Sequence, residues 1–324
     1  MKYRTRAKLR KLLKIVAFVL VIAALVRFVP EFIPEGVKQE IESAIEGGKK
    51  VISGTRNDGV KALEALYNEY MASSDGNRSE GSTDRLQVVA DTVPTGIEVP
   101  KPVAGHQVVS HPGYVLSYNE KYEQPDWVAY VLTVEELNTN NTGRTENFRE
   151  DPDIATDSAH LSDYRGSGYD RGHLLPSADR TSSVELNDAT FLLSNMSPQI
   201  HRFNAGLWLK AEDAVRDAAR LYGEVYVATG PVFTDGMDTI GECDVAVPKE
   251  FYKVILGLDG NGNWQSIGMI LPQEYTDGNL KPYFMTVDEV EAVTGLDFFP
   301  NLADGVETTV EGTYSLAAWP KSFR

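Results

Sequence analysis

Residues 204–222 form a long amphipathic segment that constrains the fold of this chain more than any other feature. Apolar residues recur in it at intervals of three and four, at Leu207, Ala211, Ala214, Val215, Ala218, Leu221 and Tyr222. This spacing predicts a helix opening at Asn204 with one buried face. Such a face needs a sheet or further helices to pack against.

Short apolar stretches lie on both sides of this helix in the sequence. They predict strands at residues 114–118, 127–132, 224–228, 251–256 and 264–271. A polar segment with Pro125 joins the first two, and Asp-Gly-Asn-Gly at residues 259–262 predicts a hairpin between the last two. Strands on both sides of a few helices favour an α+β domain over a regular βαβ repeat.

The first 33 residues predict a membrane segment. Seven of the 31 Lys and Arg residues lie in residues 1–14, which contain no Asp or Glu, and residues 15–26 are all apolar. Residues 12–33 are long enough to span a bilayer if Lys14 and Arg27 reach towards its surfaces. The positive-inside rule then places the rest of the chain on the extracytoplasmic side. We expect an uncleaved signal anchor, a transmembrane helix; a cleaved signal, giving a secreted protein, is the alternative.

Two helical patterns, residues 37–52 and 60–71, follow the membrane segment. The sequence leaves open whether they form a stalk or a self-association element. A self-association element would make the protein a homodimer. Residues 72–85 are polar and rich in Gly and Ser, as is typical of a flexible linker. We therefore expect three parts: a basic leader and membrane segment at 1–34, a helical stalk and linker at 35–90, and a globular domain at 91–324.

Charge and cysteine content limit the function. The net charge is −16, and without the basic leader 24 basic residues face 47 acidic ones. This balance argues against a protein that coats nucleic acid by bulk attraction. It is compatible with an enzyme that meets phosphate through a few arginines and a metal ion. The single cysteine, Cys243, excludes an intramolecular disulfide and a multi-cysteine zinc site.

His173 stands out among the five histidines because of the residues before it. It ends the tetrapeptide Asp170-Arg171-Gly172-His173. A neutral imidazole can take a proton from water, and a neighbouring arginine can hold a phosphate oxygen. The intervening glycine allows close approach of the backbone. By itself the tetrapeptide is weak evidence, since Asp-Arg pairs in loops are commonly structural.

Asn204 and Glu212 on the predicted helix have two interpretations each. Asn204 could be an ordinary N-cap, or a neutral oxygen ligand for a hard cation such as Mg²⁺, which keeps several waters. Glu212 lies eight residues further, with a Cα separation of about 12 Å, so a role through water is more plausible than shared direct ligation. Alternatively, Glu212 is a solvated glutamate paired with Arg216.

Three segments together resemble the DNA/RNA non-specific endonucleases, a family of His-Me finger (ββα-metal) nucleases. They are residues 163–179, residues 191–199, and Asn204 with Trp208 and Glu212 at intervals of four. The order and spacing of these elements are highly specific, and the resemblance extends from about residue 96 to 320. It implies a ββα-metal core within a mixed, mainly antiparallel sheet domain.

The resemblance also implies roles for individual residues. His173 would be the general base, and Arg171 would stabilise the transition state. Asn204 would be the sole direct protein ligand of Mg²⁺, for which Mn²⁺ could substitute, and Glu212 would hold a water of that ion.

Further residues match the family pattern in supporting positions. Asp170 belongs to the histidine tetrapeptide. Trp208 is expected in the core. The resemblance implies that His173 lies on a β-hairpin, and Asn195 is expected to brace that hairpin.

One family feature has no clear counterpart in the sequence. Some members carry a catalytic arginine just before the aromatic residue that matches Phe148, and this position falls near Glu146. Arg144 or Arg149 would have to substitute. Arg149 and Arg165 are retained as candidate substrate-binding residues.

The leading hypothesis is an exported, membrane-anchored hydrolase that cleaves DNA and RNA. A site that contacts only phosphate and sugar carries no base information, which fits a non-specific endonuclease. One alternative keeps the same centre but assigns another phosphodiester or nucleotide substrate, in line with the acidic composition. Another is an inactive nuclease-like domain that serves as a membrane-tethered binding module.

Overall fold

The computed structural model describes residues 96–274 and 278–323 of the 324-residue chain. The predicted membrane segment, the two stalk helices, the linker and the domain boundary near residue 90 lie outside these residues. Within the described part, no helix combines the length and apolar character needed to cross a bilayer.

A seven-stranded sheet forms the centre of the domain. Its strands are β1 (Gln107–His111), β2 (Tyr114–Asn119), β3 (Gln124–Thr133), β6 (Glu224–Pro231), β9 (Glu250–Leu258), β10 (Trp264–Pro272) and β11 (Phe284–Met285), paired in this spatial order. Every pair is antiparallel. The five strands predicted from the sequence are confirmed, as is the hairpin between β9 and β10.

Two parts of the sheet differ from the prediction. Strand β1 was not predicted, because only Val109 among its five residues is buried and its apolar pattern is weak. Pro125 lies inside β3 rather than in the connection before it. A proline is tolerated there because β6 pairs with β3 only from Val128 onwards and the register with β2 shifts at Ser117 and Tyr118.

Both faces of the sheet are covered. Along β3, Val128, Tyr130 and Leu132 belong to one apolar cluster, whereas Trp127 and Ala129 belong to another on the opposite face. The first cluster contains the buried side of the long helix α5 (Leu209–Tyr222). The second contains residues of α6 (Val287–Thr294) and α7 (Asp304–Glu311). The sheet is therefore enclosed between helices.

The remaining elements are short. They are α1 (Val134–Asn138), α2 (Leu161–Tyr164), α3 (Val184–Ala189) and α4 (His201–Phe203), the two-residue strands β7 (Thr239–Ile240) and β8 (Val245–Ala246), and 3-10 turns at Ser177–Asp179, Leu193–Asn195, Lys281–Tyr283 and Lys321–Phe323.

A separate two-stranded ribbon next to α4 and α5 forms a ββα unit. Strands β4 (Asp170–His173) and β5 (Met196–Gln199) pair antiparallel, with Asp170 opposite Gln199 and His173 opposite Met196. The helical segment follows directly after β5. This arrangement brings the histidine tetrapeptide and the start of the helix to one place.

The helical segment begins at His201, so the predicted opening at Asn204 is wrong by three residues. Asn204–Trp208 forms a π-helical turn between α4 and α5. In a regular α-helix, residues eight apart would be offset by about 80° around the axis. The wider π turn reduces this offset between Asn204 and Glu212, and such turns occur frequently at functional sites.

Candidate active site

Strand β4 holds the histidine tetrapeptide against β5. Gly172 is opposite Ser197, and a Cβ atom at position 172 would overlap the side chain of Gln199. Glycine is therefore required here for the close approach of the two strands.

His173 lies in an apolar pocket at the end of β4. Only 8% of the residue is exposed, and the rings of Phe191 and Phe148 lie edge-on to its imidazole at centroid distances of 5.0 and 5.7 Å. Burial, followed by the positive charges of Arg144 and Arg171, lowers the pKa of His173 to about 3, although a hydrogen bond to the Arg171 backbone acts in the opposite direction. The imidazole is thus neutral at physiological pH.

One nitrogen of this imidazole has no protein partner. Nε2 of His173 is buried and forms no hydrogen bond with any residue that the structure describes. A neutral imidazole with an unpaired ring nitrogen can accept a proton from a water molecule.

Asn204 lies beside Asp170 and does not act as an N-cap. Its backbone is already helical, and its Nδ2 donates a 2.9 Å hydrogen bond to Oδ2 of Asp170. The same carboxylate oxygen lies 2.9 Å from Nδ1 of His201. Asp170 therefore fixes the orientation of the Asn204 amide.

The amide oxygen of Asn204 is suited to a metal ion. Within residues 96–274 and 278–323, no donor forms a hydrogen bond with Oδ1 of Asn204. A neutral, unpaired amide oxygen is a hard ligand of the kind that Mg²⁺ binds, and this ion commonly retains several waters. The three His, Asp and Glu groupings with metal-ligand spacing in the described residues lie elsewhere and include neither His173 nor Glu212. The site thus fits a cation held by one protein oxygen.

Trp208 and Asn195 fix the backbone at His173 and directly after it. Trp208 is fully buried, and its Nε1 donates a 2.9 Å hydrogen bond to the carbonyl oxygen of His173. Oδ1 of the buried Asn195 accepts a hydrogen bond from the amide of Leu175, while its Nδ2 donates to the carbonyl oxygens of Leu175 and Thr190. The loop that follows β4 is therefore held from both sides.

Glu212 is buried among charged residues and is not a solvated surface glutamate. It is 9% exposed, and its electrostatic neighbours include Lys253, Asp179 and Arg216. Arg216 forms its ion pairs with Asp179 at 2.8 Å and Asp213 at 2.6 Å rather than with Glu212. Burial raises the pKa of Glu212, and the positive charge of Lys253 opposes that rise.

Lys253 connects this charged group to Trp208 and to the backbone directly after β4. It is fully buried, its Nζ lies 3.9 Å from the centroid of the Trp208 ring, and it donates to Oγ1 of Thr229 at 3.1 Å. Burial lowers the pKa of Lys253, while the carboxylate of Glu212 raises it. His173, Trp208, Lys253 and Glu212 thus form a continuous chain of neighbours.

Two guanidinium groups lie close to His173. The Cζ atom of Arg171 is 3.9 Å from the centroid of Phe148, and that of Arg144 is 4.8 Å from the centroid of Phe191. Both rings contact the imidazole of His173. Nη1 of Arg144 also donates a 2.7 Å hydrogen bond to Oγ of Ser177.

The other candidate arginines lie in different surroundings. Arg149 forms a 3.0 Å ion pair with Asp188 and donates to two backbone carbonyls, so its guanidinium is already engaged. Arg165 is exposed at the end of α2. Neither appears among the charges that act on His173.

Sequence reasoning left two of these residues without an assigned role. Arg144 was an undecided substitute, because its loop has no periodic pattern that would orient it. For Lys253, the sequence predicts only a place in a strand. A single lysine within the apolar run Phe-Tyr-Lys-Val-Ile-Leu at residues 251–256 is nevertheless a signal of a buried, paired charge.

Comparison with known proteins gives a consistent result. The sequence model of the DNA/RNA non-specific endonuclease family matches residues 93–305. The chain is 36% identical over 209 residues to a nuclease of Nostoc sp., covering 61% of this chain and 75% of the relative. It is 35% identical over 209 residues to human mitochondrial endonuclease G, covering 60% of this chain and 70% of the relative.

A solved structure is also similar. It is a crystal structure of the EndoG/EndoGI complex, which concerns the mechanism of EndoG inhibition. The TM-score is 0.58 at 33% sequence identity, with 60% of this chain and 86% of the other covered.

Proposed function

The chain belongs to the DNA/RNA non-specific endonuclease family and is a metal-dependent nuclease, and we propose that it hydrolyses phosphodiester bonds of both DNA and RNA with His173 as general base and Mg²⁺ on Asn204. The observation that carries this proposal is the neutral His173, whose Nε2 has no partner among the described residues and which shares its ββα unit with Asn204 and has two arginines nearby.

His173 takes a proton from the attacking water through Nε2. Its apolar pocket keeps the imidazole neutral, and the hydrogen bond from Trp208 fixes the backbone that carries it. General base catalysis of this kind contributes on the order of 10²–10⁴-fold.

Arg171 and Arg144 hold the phosphoryl oxygens. Their guanidinium groups lie over the two rings that contact His173, so positive charge is available close to the proposed base. Positive groups that are already in place when charge develops stabilise the transition state. Arg165 and Arg149 are kept as proposed contacts for more distant phosphates, with Arg149 first having to exchange its pairing with Asp188.

Asn204 would hold the cation through Oδ1, and the hydrogen bond from its Nδ2 to Asp170 fixes the orientation of the amide. When bound, the divalent ion neutralises charge on the phosphoryl oxygens and on the leaving alkoxide. Mn²⁺ can take the same position because it also accepts oxygen ligands. Glu212 acts at longer range, through a water of the ion and through its electrostatic interaction with Lys253.

The lack of base preference is supported by the chemistry of the site. His173, Arg171, Arg144 and Asn204 are all suited to phosphate, water or a cation. A preference for particular bases would need contacts with the edges of the bases, and the proposed roles of these groups involve no such contacts. The proposal therefore includes cleavage of both nucleic acids.

We further propose that residues 12–33 anchor the enzyme in a membrane with the nuclease domain on the extracytoplasmic side. The basic leader and the apolar run that follows it support this orientation. Protease treatment of intact cells tests it: digestion of the nuclease domain is expected, and protection of the domain until the cells are lysed would contradict the orientation.

The function is tested with the full-length chain in detergent, supercoiled plasmid DNA and a structured RNA. Cleavage of both substrates is expected with Mg²⁺, and none with excess chelator. Asn204→Ala should lose the metal-dependent activity, whereas Asn301→Ala, a matched change at an exposed asparagine, should retain it.

Each outcome has a defined meaning. Cleavage of only one nucleic acid would contradict the non-specific proposal but leave the metal site intact. Full activity of Asn204→Ala at limiting Mg²⁺ would contradict the assignment of the ligand.

A further inference from the structure

Three acidic side chains meet where helices α6 and α7 pack together. They are Asp288 and Glu291 of α6 and Glu311, the last residue of α7. One carboxylate oxygen from each lies within 4.8 Å of the others. This acidic cluster is far from the ββα unit in the fold, since α6 and α7 belong to the apolar cluster on the face of the sheet opposite α5.

Glu311 is the member of the cluster that requires explanation. It is only 6% exposed, and its Oε1 is buried without a hydrogen-bond partner among the described residues. A buried carboxylate without a partner is costly, and such groups are normally paired or coordinate a metal. In the described part of the chain, none of the three acids forms an ion pair with a basic side chain.

The other two members are positioned by their own helix. Oε1 of Glu291 accepts a 2.7 Å hydrogen bond from the backbone amide of Phe298, which holds its carboxylate at the C-terminal end of α6. Asp288 precedes it by about one turn. Oδ2 of Asp288 would lie 3.3 Å from a Cβ atom at position 312, so it is directed towards the end of α7.

We propose that Asp288, Glu291 and Glu311 bind a calcium ion that joins α6 to α7. Calcium binds carboxylate oxygens at about 2.3–2.6 Å, so two of its ligands are separated by at most about 5 Å. The three carboxylate oxygens lie within 4.8 Å of one another, which is compatible with this condition. Waters complete the coordination of the ion on the exposed side, where Asp288 lies.

Calcium suits this cluster better than magnesium does. Magnesium prefers to keep several of its waters rather than enter a cage of carboxylates, whereas calcium accepts six to eight oxygen ligands in a flexible geometry. Three carboxylates also supply the negative charge that raises calcium affinity.

The predicted role is structural. The ion would cancel repulsion among the three acids and hold the C-terminal helices on the sheet. Ligands that bind only the folded state raise stability in proportion to the logarithm of their concentration. Since the cluster and the catalytic residues occupy opposite faces of the sheet, this site is independent of the proposed nuclease mechanism.

The experiment uses the full-length chain in detergent with Asn204→Ala as the background, so that the active site does not contribute to metal binding. Thermal unfolding is followed after removal of metal and during titration with CaCl₂ alone. Ca²⁺ at about 100 times its Kd should raise Tm by about 5–10 °C. Adding Glu311→Gln or Asp288→Asn should abolish this rise, whereas Glu307→Gln, the same change one turn earlier on α7, should leave it in place.

A second readout separates loss of binding from loss of folding. In chelator, Glu311→Gln should be at least as stable as its background, because a neutral amide is easier to bury beside Glu291 and Asp288 than a carboxyl group that can ionise. An equal Ca²⁺-induced rise with and without Glu311→Gln would overturn the proposal, and so would no rise in the folded background protein. An equal rise with MgCl₂ would overturn the assignment to calcium.

Discussion

The indole Nε1 of Trp208 donates a 2.9 Å hydrogen bond to the backbone carbonyl oxygen of His173. The bond joins the π-helical turn to the last residue of β4, so the helix with the proposed metal ligand and the strand with the proposed base are held in one geometry. A buried indole N–H usually finds a hydrogen-bond partner, and here that partner is the backbone of the proposed base.

Trp208→Phe tests the positioning role. The phenyl ring keeps most of the apolar packing but removes the donor. We expect a loss of about 1 kcal/mol in the free energy of unfolding. We also expect kcat to fall by about tenfold with KM little changed, because a small displacement of a catalytic group is costly. An unchanged kcat in a variant with the expected stability loss would show that the bond is structural only.

The depressed pKa of His173 makes stability depend on pH. The folded-state pKa is about 3, against an ordinary value of 6.5, so between these values the unfolded chain binds a proton that the folded chain does not. Stability therefore falls as the pH drops below about 6.5. From pH 7.5 to pH 5.5 this one group should contribute a loss of about 1.4 kcal/mol.

Urea unfolding at the two pH values, in chelator, measures this contribution. His173→Asn should lose less stability on acidification than wild type does. Equal pH dependence in wild type and His173→Asn would show that His173 is not held neutral by the fold.

Arg144 and Arg149 should behave differently when each is changed to methionine. Arg144 lies over the ring of Phe191 next to His173, whereas Arg149 is paired with Asp188. Arg144→Met should lower kcat by about 10²-fold, as the loss of one donor to the developing charge does in other enzymes. Arg149→Met should mainly reduce stability. Steady-state kinetics on plasmid DNA distinguish them, and the reverse order would assign the catalytic role to Arg149 instead of Arg144.

Lys253 and Glu212 should stabilise the domain as a pair. Lys253→Met or Glu212→Gln alone removes the opposite charge that acts on the other buried group, so each single variant should lose stability. The double variant should lose clearly less than the sum of the single variants, because both charges are then absent. Denaturant unfolding of the four proteins gives the coupling, and strictly additive losses would show that the two groups do not interact.

Much of the fold could be predicted from the sequence, since the strands and the long helix carry clear periodic patterns. The start of the helix could not, because apolar spacing does not reveal a π turn such as Asn204–Trp208. Edge strand β1 has too few buried residues to show a pattern.

The site was predictable where its residues are close in sequence. Asp170 to His173 and Asn204 to Glu212 form local motifs, and β5 brings the two together. The surroundings of Glu212 were not predictable, because Lys253 comes from a strand 41 residues later and meets it only in the folded sheet. The placement of Arg144 over Phe191 likewise depends on tertiary contacts.

The most direct test of the central claim is the turnover of His173→Ala on supercoiled plasmid at saturating Mg²⁺. We predict a rate lower by about 10²–10⁴-fold, with cooperative unfolding showing that the variant is folded. A rate close to that of the wild-type protein would contradict the assignment of His173 as the general base.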